Sequence, residues 1–241
     1  MQVYNQITTN IAQGKKMLAV LLDPEKTQDI AYVATQINRS DTDMVLVGGS
    51  GYLKPVDEFV GTLKSVLRKD LPVILFPGDV CQFSDKADAI LFLSLLNSKD
   101  SELLAGRHIR AARSIHASGI EVIPMAYILV DGGKETTVQQ VTHAEPLRHK
   151  EEIASTALAG EMLGKRMVYL EAGSGADIPV ATDVIAATKQ LLSVPLIVGG
   201  GICTTEQMKA AFRAGADIVV IGNHFEKAPE DIKRFAEAKQ S

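Results

Sequence analysis

Eight short apolar runs, each followed by an amphipathic or polar stretch, limit what this chain can fold into more than any other feature. They fall at 17–22 (MLAVLL), 43–48 (DMVLVG), 72–76 (PVILF), 88–93 (DAILFL), 121–126 (EVIPMA), 167–171 (MVYLE), 195–199 (PLIVG) and 217–222 (DIVVIG). Most are continuous rather than alternating, as a strand buried on both faces of a parallel sheet requires. Helical patterns occupy 24–38, 56–68, 101–117, 150–164, 180–191, 204–214 and 225–238. Eight strands interleaved with helices over 241 residues is the count of a (β/α)8 TIM barrel, read here as a single domain over 1–241. An open doubly wound sheet is the alternative, and it ordinarily needs fewer strands.

Two connections depart from the pattern. Only PGDVCQFSDKA separates the third and fourth strands, too little for a full barrel helix, so the third helix is expected to be reduced or missing. The fifth and sixth strands are joined by a long segment beginning YILVDGGKETTVQQVTHAEPL. A polar loop of that length reads as a lid or as a surface excursion.

Composition excludes several classes. Net charge is −4 with no basic cluster, so the electrostatic footprint of a nucleic-acid binder is missing. Cys81 and Cys203 are the two cysteines and lack metal-ligand spacing, which fits a reducing, cytoplasmic setting. The apolar runs are too short to span a bilayer, so stable membrane insertion is not expected.

In barrels of this kind, chemistry sits at the C-terminal ends of the strands. After the seventh comes Gly199-Gly200-Gly201, then Thr204-Thr205-Glu206 opening a helix; after the eighth comes Gly222-Asn223. Bare backbone amides next to helix starts suit an anion, and loops seven and eight are the recurrent phosphate site of these barrels. A tight turn needing glycine for its own geometry is the competing explanation. After the sixth strand, Tyr169-Leu170-Glu171-Ala172-Gly173-Ser174-Gly175 offers a carboxylate that can accept a hydroxyl proton, and small residues for further contacts. After the first strand, Asp23-Pro24 reads either as a helix cap or as a hard-oxygen ligand for Mg²⁺. Ser50, in VGGSG after the second strand, would join Asp23 in a sparse metal site completed by a ligand's phosphate oxygens. The residues alone thus describe a phosphate-site barrel enzyme with room for two phosphorylated substrates.

The motifs LLDPEK, VLVGGSGY, VILFPGDVCQFSDKADAILFLSLLNS, VYLEAGSGA, LIVGGGI and VVIGN, in that order along nearly the whole chain, resemble the geranylgeranylglyceryl phosphate synthase family, which includes the heptaprenylglyceryl phosphate synthases. Leu21, where the compact bacillus type carries lysine, makes the likeness closer to the larger archaeal and Bacteroidetes-type group. The resemblance implies transfer of a polyprenyl group, geranylgeranyl in the family's name, from its diphosphate to sn-glycerol 1-phosphate with Mg²⁺. It implies that Asp23 and Ser50 hold the metal and that Tyr169 to Gly175 hold the glycerol phosphate, with Glu171 on its hydroxyls. Gly200, Gly201, Gly222 and Asn223 would hold its phosphate, and the protein would be a dimer or hexamer. Phe76, Phe83, Phe92, Leu93, Leu95 and Leu96 are candidates for a groove taking the tail, and Lys134 for a diphosphate contact or a solvated loop lysine. The alternatives are another phosphate-site barrel isomerase or lyase, and a non-catalytic phospholigand-binding barrel.

Overall fold

The computed structural model describes residues 2–49 and 55–239. Eight parallel strands close into a barrel in sequence order: β1 (Met17–Leu22), β2 (Met44–Val47), β3 (Val73–Leu75), β4 (Ala89–Leu95), β5 (Glu121–Leu129), β6 (Met167–Glu171), β7 (Leu196–Gly199) and β8 (Ile218–Ile221). β1 pairs with β8, which completes the ring. The (β/α)8 TIM barrel expected from the apolar runs is the fold.

Side chains alternate between two cores, as the two-residue period of a strand demands. Met17, Ala19, Met44, Leu46, Ile74, Leu91, Met125, Tyr127, Met167, Tyr169, Ile197, Ile218 and Val220 fill the barrel interior. Leu18, Val20, Val45, Val47, Ile128, Val168, Leu170, Val198 and Val219 pack outward against the helices. Both faces are buried, which is why the strands read as unbroken apolar runs.

The helices are α1 (Val3–Ala12), α2 (Ile30–Asn38), α3 (Asp57–Val66), α4 (Arg107–Ser118), α5 (Thr137–Thr142), α6 (Lys150–Met162), α7 (Thr182–Leu191), α8 (Thr205–Ala214), α9 (Asn223–Lys227) and α10 (Ile232–Ala238). No helix lies between β3 and β4, as the short connection requires. Four details differ from the sequence reading. α1 is a helix that the polar pattern VYNQITTNIA did not announce. The second helix begins at Ile30, not 24, because Asp29 rather than Asp23 caps it, its carboxylate accepting from the Tyr32 amide at 2.8 Å. A wide π turn over Glu102–Gly106 leads into α4. The last helical stretch is broken into α9 and α10 at Pro229–Asp231.

The N-terminal end of the barrel is tied shut by a repeated device. Asp43, Asp88 and Asp217 each accept an amide from the start of a neighbouring strand, from Leu18, Val73 and Leu196, all at 2.8 Å. Each also meets a lysine: Lys64 at 2.6 Å from Asp88, Lys189 at 2.6 Å from Asp217, and Lys239 beside Asp43. Glu121 accepts from the Val3 and Tyr4 amides that start α1, docking that helix beneath the barrel. Among the described residues no helix is long and apolar enough to cross a membrane.

Candidate active site

The C-terminal mouth holds a cavity of about 290 Å³. Strand parity explains why it is there. The inward positions above Met44–Leu46, Ile197 and Val220 are Gly48, Gly199 and Gly222, so three strands end without a side chain to fill the interior. The inward positions above Ala19 and Tyr169 are Leu21 then Asp23, and Glu171. Two carboxylates therefore face a space that the glycines leave open.

Glu171 is only 5% exposed. One carboxylate oxygen accepts from the Gly173 amide at 2.7 Å, and the hydroxyls of Tyr169 and Tyr127 also donate to it. Burial pushes its pKa above the usual carboxylate range, and those three donors offset part of the rise. Both tyrosines are held well above their ordinary range, by burial first and then by the Glu171 charge. The rings are fixed by packing: Phe76 stacks on Tyr169 with centroids 5.3 Å apart and meets Tyr127 edge-on at 5.8 Å. Among the described residues no lysine, arginine or histidine pairs with Glu171.

The glycine run is explained first by what surrounds it. A methyl group at Gly199 would overlap the Tyr169 hydroxyl. One at Gly200 would lie 2.5 Å from Glu171 Oε1, and one at Gly201 2.7 Å from the Ile178 carbonyl. Gly200 and Gly201 also have φ of +83° and +70°, where side chains are strained. The run is thus the mould around Glu171 and its tyrosine, whatever else its amides do. Ser174 Oγ meets Asn223 Oδ1 at 2.9 Å, locking the loop after β6 to the start of α9. α8 opens with a capping box between Thr204 and Gln207.

Asp23 sits opposite, 8% exposed. Its Oδ1 accepts from the Glu25 amide at 3.0 Å, and a side chain at Gly49 would strike its carboxyl at 2.7 Å. Lys26 Nζ is 3.4 Å from Asp23 Oδ2 and 3.6 Å from Glu226 Oε1. Burial raises the pKa of Glu226, Lys26 lowers it, and the Asp23 charge raises it again.

Of the residues singled out from sequence, Asp23, Tyr169, Glu171, Ser174, Gly175, Gly200, Gly201, Gly222 and Asn223 all line this one cavity. Leu170 and Ala172 turn their side chains away, into the layer against the helices. Gly173 contributes its amide to Glu171 rather than a cavity wall. Ser50 lies outside the described residues. Lys134 is bound to Asp177 at 2.5 Å. An apolar arm is lined by Phe83, Phe92, Leu93 and Leu103, with Ala111 and Ile115 of α4; Phe76 and Leu95 also line the cavity, whereas Leu96 faces a separate surface pocket. The segment after β5 brings α5 over the same cavity through Val138 and Val141.

The family model described as the PcrB family matches residues 10–239. The chain belongs to the PcrB family. Its PcrB relatives include the geranylgeranylglyceryl phosphate synthase of Zunongwangia profunda, 46% identical over 88% of this chain and 92% of the other. That of Thermococcus kodakarensis is 45% identical over 90% and 86%. The fold agrees as closely. The crystal structure of (S)-3-O-geranylgeranylglyceryl phosphate synthase from Thermoplasma acidophilum, in complex with its substrate sn-glycerol-1-phosphate, superposes with a TM-score of 0.90 at 36% identity and covers both chains completely.

Several PcrB site residues of this chain escaped the sequence reading. Tyr127 lies one residue past the strand end expected at 126, yet the parity of Ile123 and Met125 points it inward beside Tyr169. Glu226 meets Asp23 and Lys26 only because β8 closes onto β1. No local pattern carries that information.

Proposed function

We propose that this chain is a geranylgeranylglyceryl phosphate synthase-type prenyltransferase. It joins a hydroxyl of sn-glycerol 1-phosphate to a polyprenyl group and releases diphosphate. The observation that carries the reading is Glu171: a buried carboxylate with no cation beside it among the described residues, in the cavity that the glycine loops and the apolar side chains share. The names of relatives at 41–46% identity support the same activity.

The glycerol phosphate is assigned to the loops after β6, β7 and β8. Its phosphate rests against Gly200, Gly201, Gly222 and Asn223, where main-chain amides are open to an anion. Its hydroxyls then reach Glu171. With its pKa raised by burial, Glu171 is a better proton acceptor than an exposed carboxylate. The new C–O bond forms as the allylic C–O bond to diphosphate breaks, and the hydroxyl proton passes to Glu171. The faces of Phe76 and the tyrosines suit positive charge developing on the allylic carbon. The hydrocarbon tail takes the apolar arm, with Val138 and Val141 of α5 above it. Anchoring both partners replaces a bimolecular encounter by a held one.

Magnesium fits the donor set on the Asp23 side. Among the described residues no three His, Cys, Asp or Glu side chains converge on one point, so those side chains do not cage a metal by themselves. Mg²⁺ is ordinarily held by one or two carboxylates plus substrate phosphates and water. Asp23 and Ser50 would hold it, with diphosphate oxygens completing the set. An ion held there would supply the charge that neutralises the departing diphosphate.

The test is an incubation of the protein with labelled sn-glycerol 1-phosphate, a ladder of polyprenyl diphosphates, and either Mg²⁺ or EDTA. An organic-extractable product that needs both substrates and the metal is expected. Label that stays in water at every chain length would contradict the reading, and product formed equally well in EDTA would remove the metal from it.

A further inference from the structure

Lys26 stands between two carboxylates and is bonded closely to neither. Its distances of 3.4 Å to Asp23 and 3.6 Å to Glu226 exceed the 2.7–2.9 Å of direct charge-assisted bonds. At the other end of the barrel, Lys64 and Lys189 sit 2.6 Å from their aspartates. The Asp23 and Glu226 side chains are 11% and 13% exposed, while that of Lys26 is 45% exposed. All three line the cavity. Asp23 Oδ1 is engaged by the Glu25 amide and Gly49 packs against the carboxyl group, which leaves Oδ2 facing Lys26.

We propose that Lys26 is a tethered counter-ion. It holds, between Asp23 and Glu226, the place that a divalent cation takes when it arrives with a diphosphate, and Glu226 is the second carboxylate of that place. This deepens the magnesium reading above and rests on it. Asp23 and Glu226, two largely buried carboxylates that share one lysine, repel. A lysine on a flexible stem neutralises them without fixing them. A divalent ion entering alone must expel the ammonium and leave it beside a like charge. An ion carrying diphosphate brings anionic oxygens to which the released ammonium turns. Metal and diphosphate therefore bind best together, and the metal alone binds weakly.

Manganese, visible by electron paramagnetic resonance, probes such a site without turnover. Free and bound Mn²⁺ are measured for the wild type, Lys26→Met, Asp23→Asn and the Lys26→Met/Glu226→Gln double variant, each with and without inorganic diphosphate. The wild type should bind Mn²⁺ weakly alone and tightly with diphosphate. Lys26→Met should bind Mn²⁺ alone at least about tenfold more tightly than the wild type, and adding Glu226→Gln should erase that gain. If Lys26→Met binds Mn²⁺ alone no better than the wild type, while Asp23→Asn still abolishes diphosphate-dependent binding, the metal site stands and the role given to Lys26 is wrong. If the wild type binds no Mn²⁺ even with diphosphate, the metal reading fails and this one with it. Thermal melts of each variant establish that it is folded.

Discussion

At the N-terminal end of the barrel, Asp43, Asp88 and Asp217 each accept a strand amide and each meet a lysine. At the C-terminal end, Glu171 is as buried as Asp217, 5% against 4% exposed, yet its partners are a glycine amide and two tyrosine hydroxyls. The same chemical group is paired with a lysine at one end and, among the described residues, with no cation at the other. A buried carboxylate paired with lysine and backbone is satisfied and has little to offer a ligand. One held only by neutral donors remains basic and ready to take a proton. The first arrangement holds strands in register, and the second holds reactivity. Asp23, with its loosely placed lysine, lies between them.

The largest effect expected from this contrast is at Glu171. Glu171→Gln should lower turnover by about 10²–10⁴-fold, the usual worth of a positioned base. It should not destabilise the fold. Burial raises the native-state pKa of Glu171 above its unfolded value. Its contribution to stability is therefore fully present below the unfolded pKa and is lost as pH rises through the native one. Above the unfolded pKa the wild type carries a penalty that grows until the native pKa is passed, and the glutamine variant does not. Melting temperatures should favour Glu171→Gln at pH 7 and converge near pH 4. A variant that unfolds more easily at pH 7 would place Glu171 with the structural carboxylates instead.

Asp217→Ala is the converse. It strips Lys189 and the Leu196 amide of their acceptor and should cost about 2–3 kcal/mol in denaturant unfolding. At a temperature where it is folded, its kcat/KM should stay within about twofold of the wild type. Gly199→Ala tests the mould around the reactive end. Its methyl group must displace the Tyr169 hydroxyl, so turnover should fall about tenfold for about 1–3 kcal/mol of stability. The smallest effect is Tyr127→Phe. Losing a donor to the carboxylate raises the Glu171 pKa further, so the acid limb of the pH–rate profile should move to higher pH, with a few-fold loss near neutrality. An unmoved limb would mean that Glu171 does not set it.

Much of the fold was legible in the sequence because all eight strands are buried on both faces and leave continuous apolar runs. What was not legible depends on context. α1 is helical because it caps the barrel floor through Val3 and Ile7 and is held by Glu121, not because VYNQITTNIA is patterned strongly. α5 is six residues inside a polar segment, started by the capping box of Thr136 and Gln139. At the site, the strand-end carboxylates and glycines were visible as residues, but their partners were not. Local sequence does not show that Gly199 makes room for Tyr169, or that closing β8 against β1 sets Glu226 beside Asp23.

The central claim is that the glycine loops and Glu171 form one binding surface, opposite Asp23. A crystal of this protein grown with sn-glycerol 1-phosphate tests it most directly. The account predicts phosphate density against Gly200, Gly201, Gly222 and Asn223, with a glycerol hydroxyl within hydrogen-bond reach of Glu171. A ligand ordered on the Asp23 side, with Glu171 untouched, would contradict it.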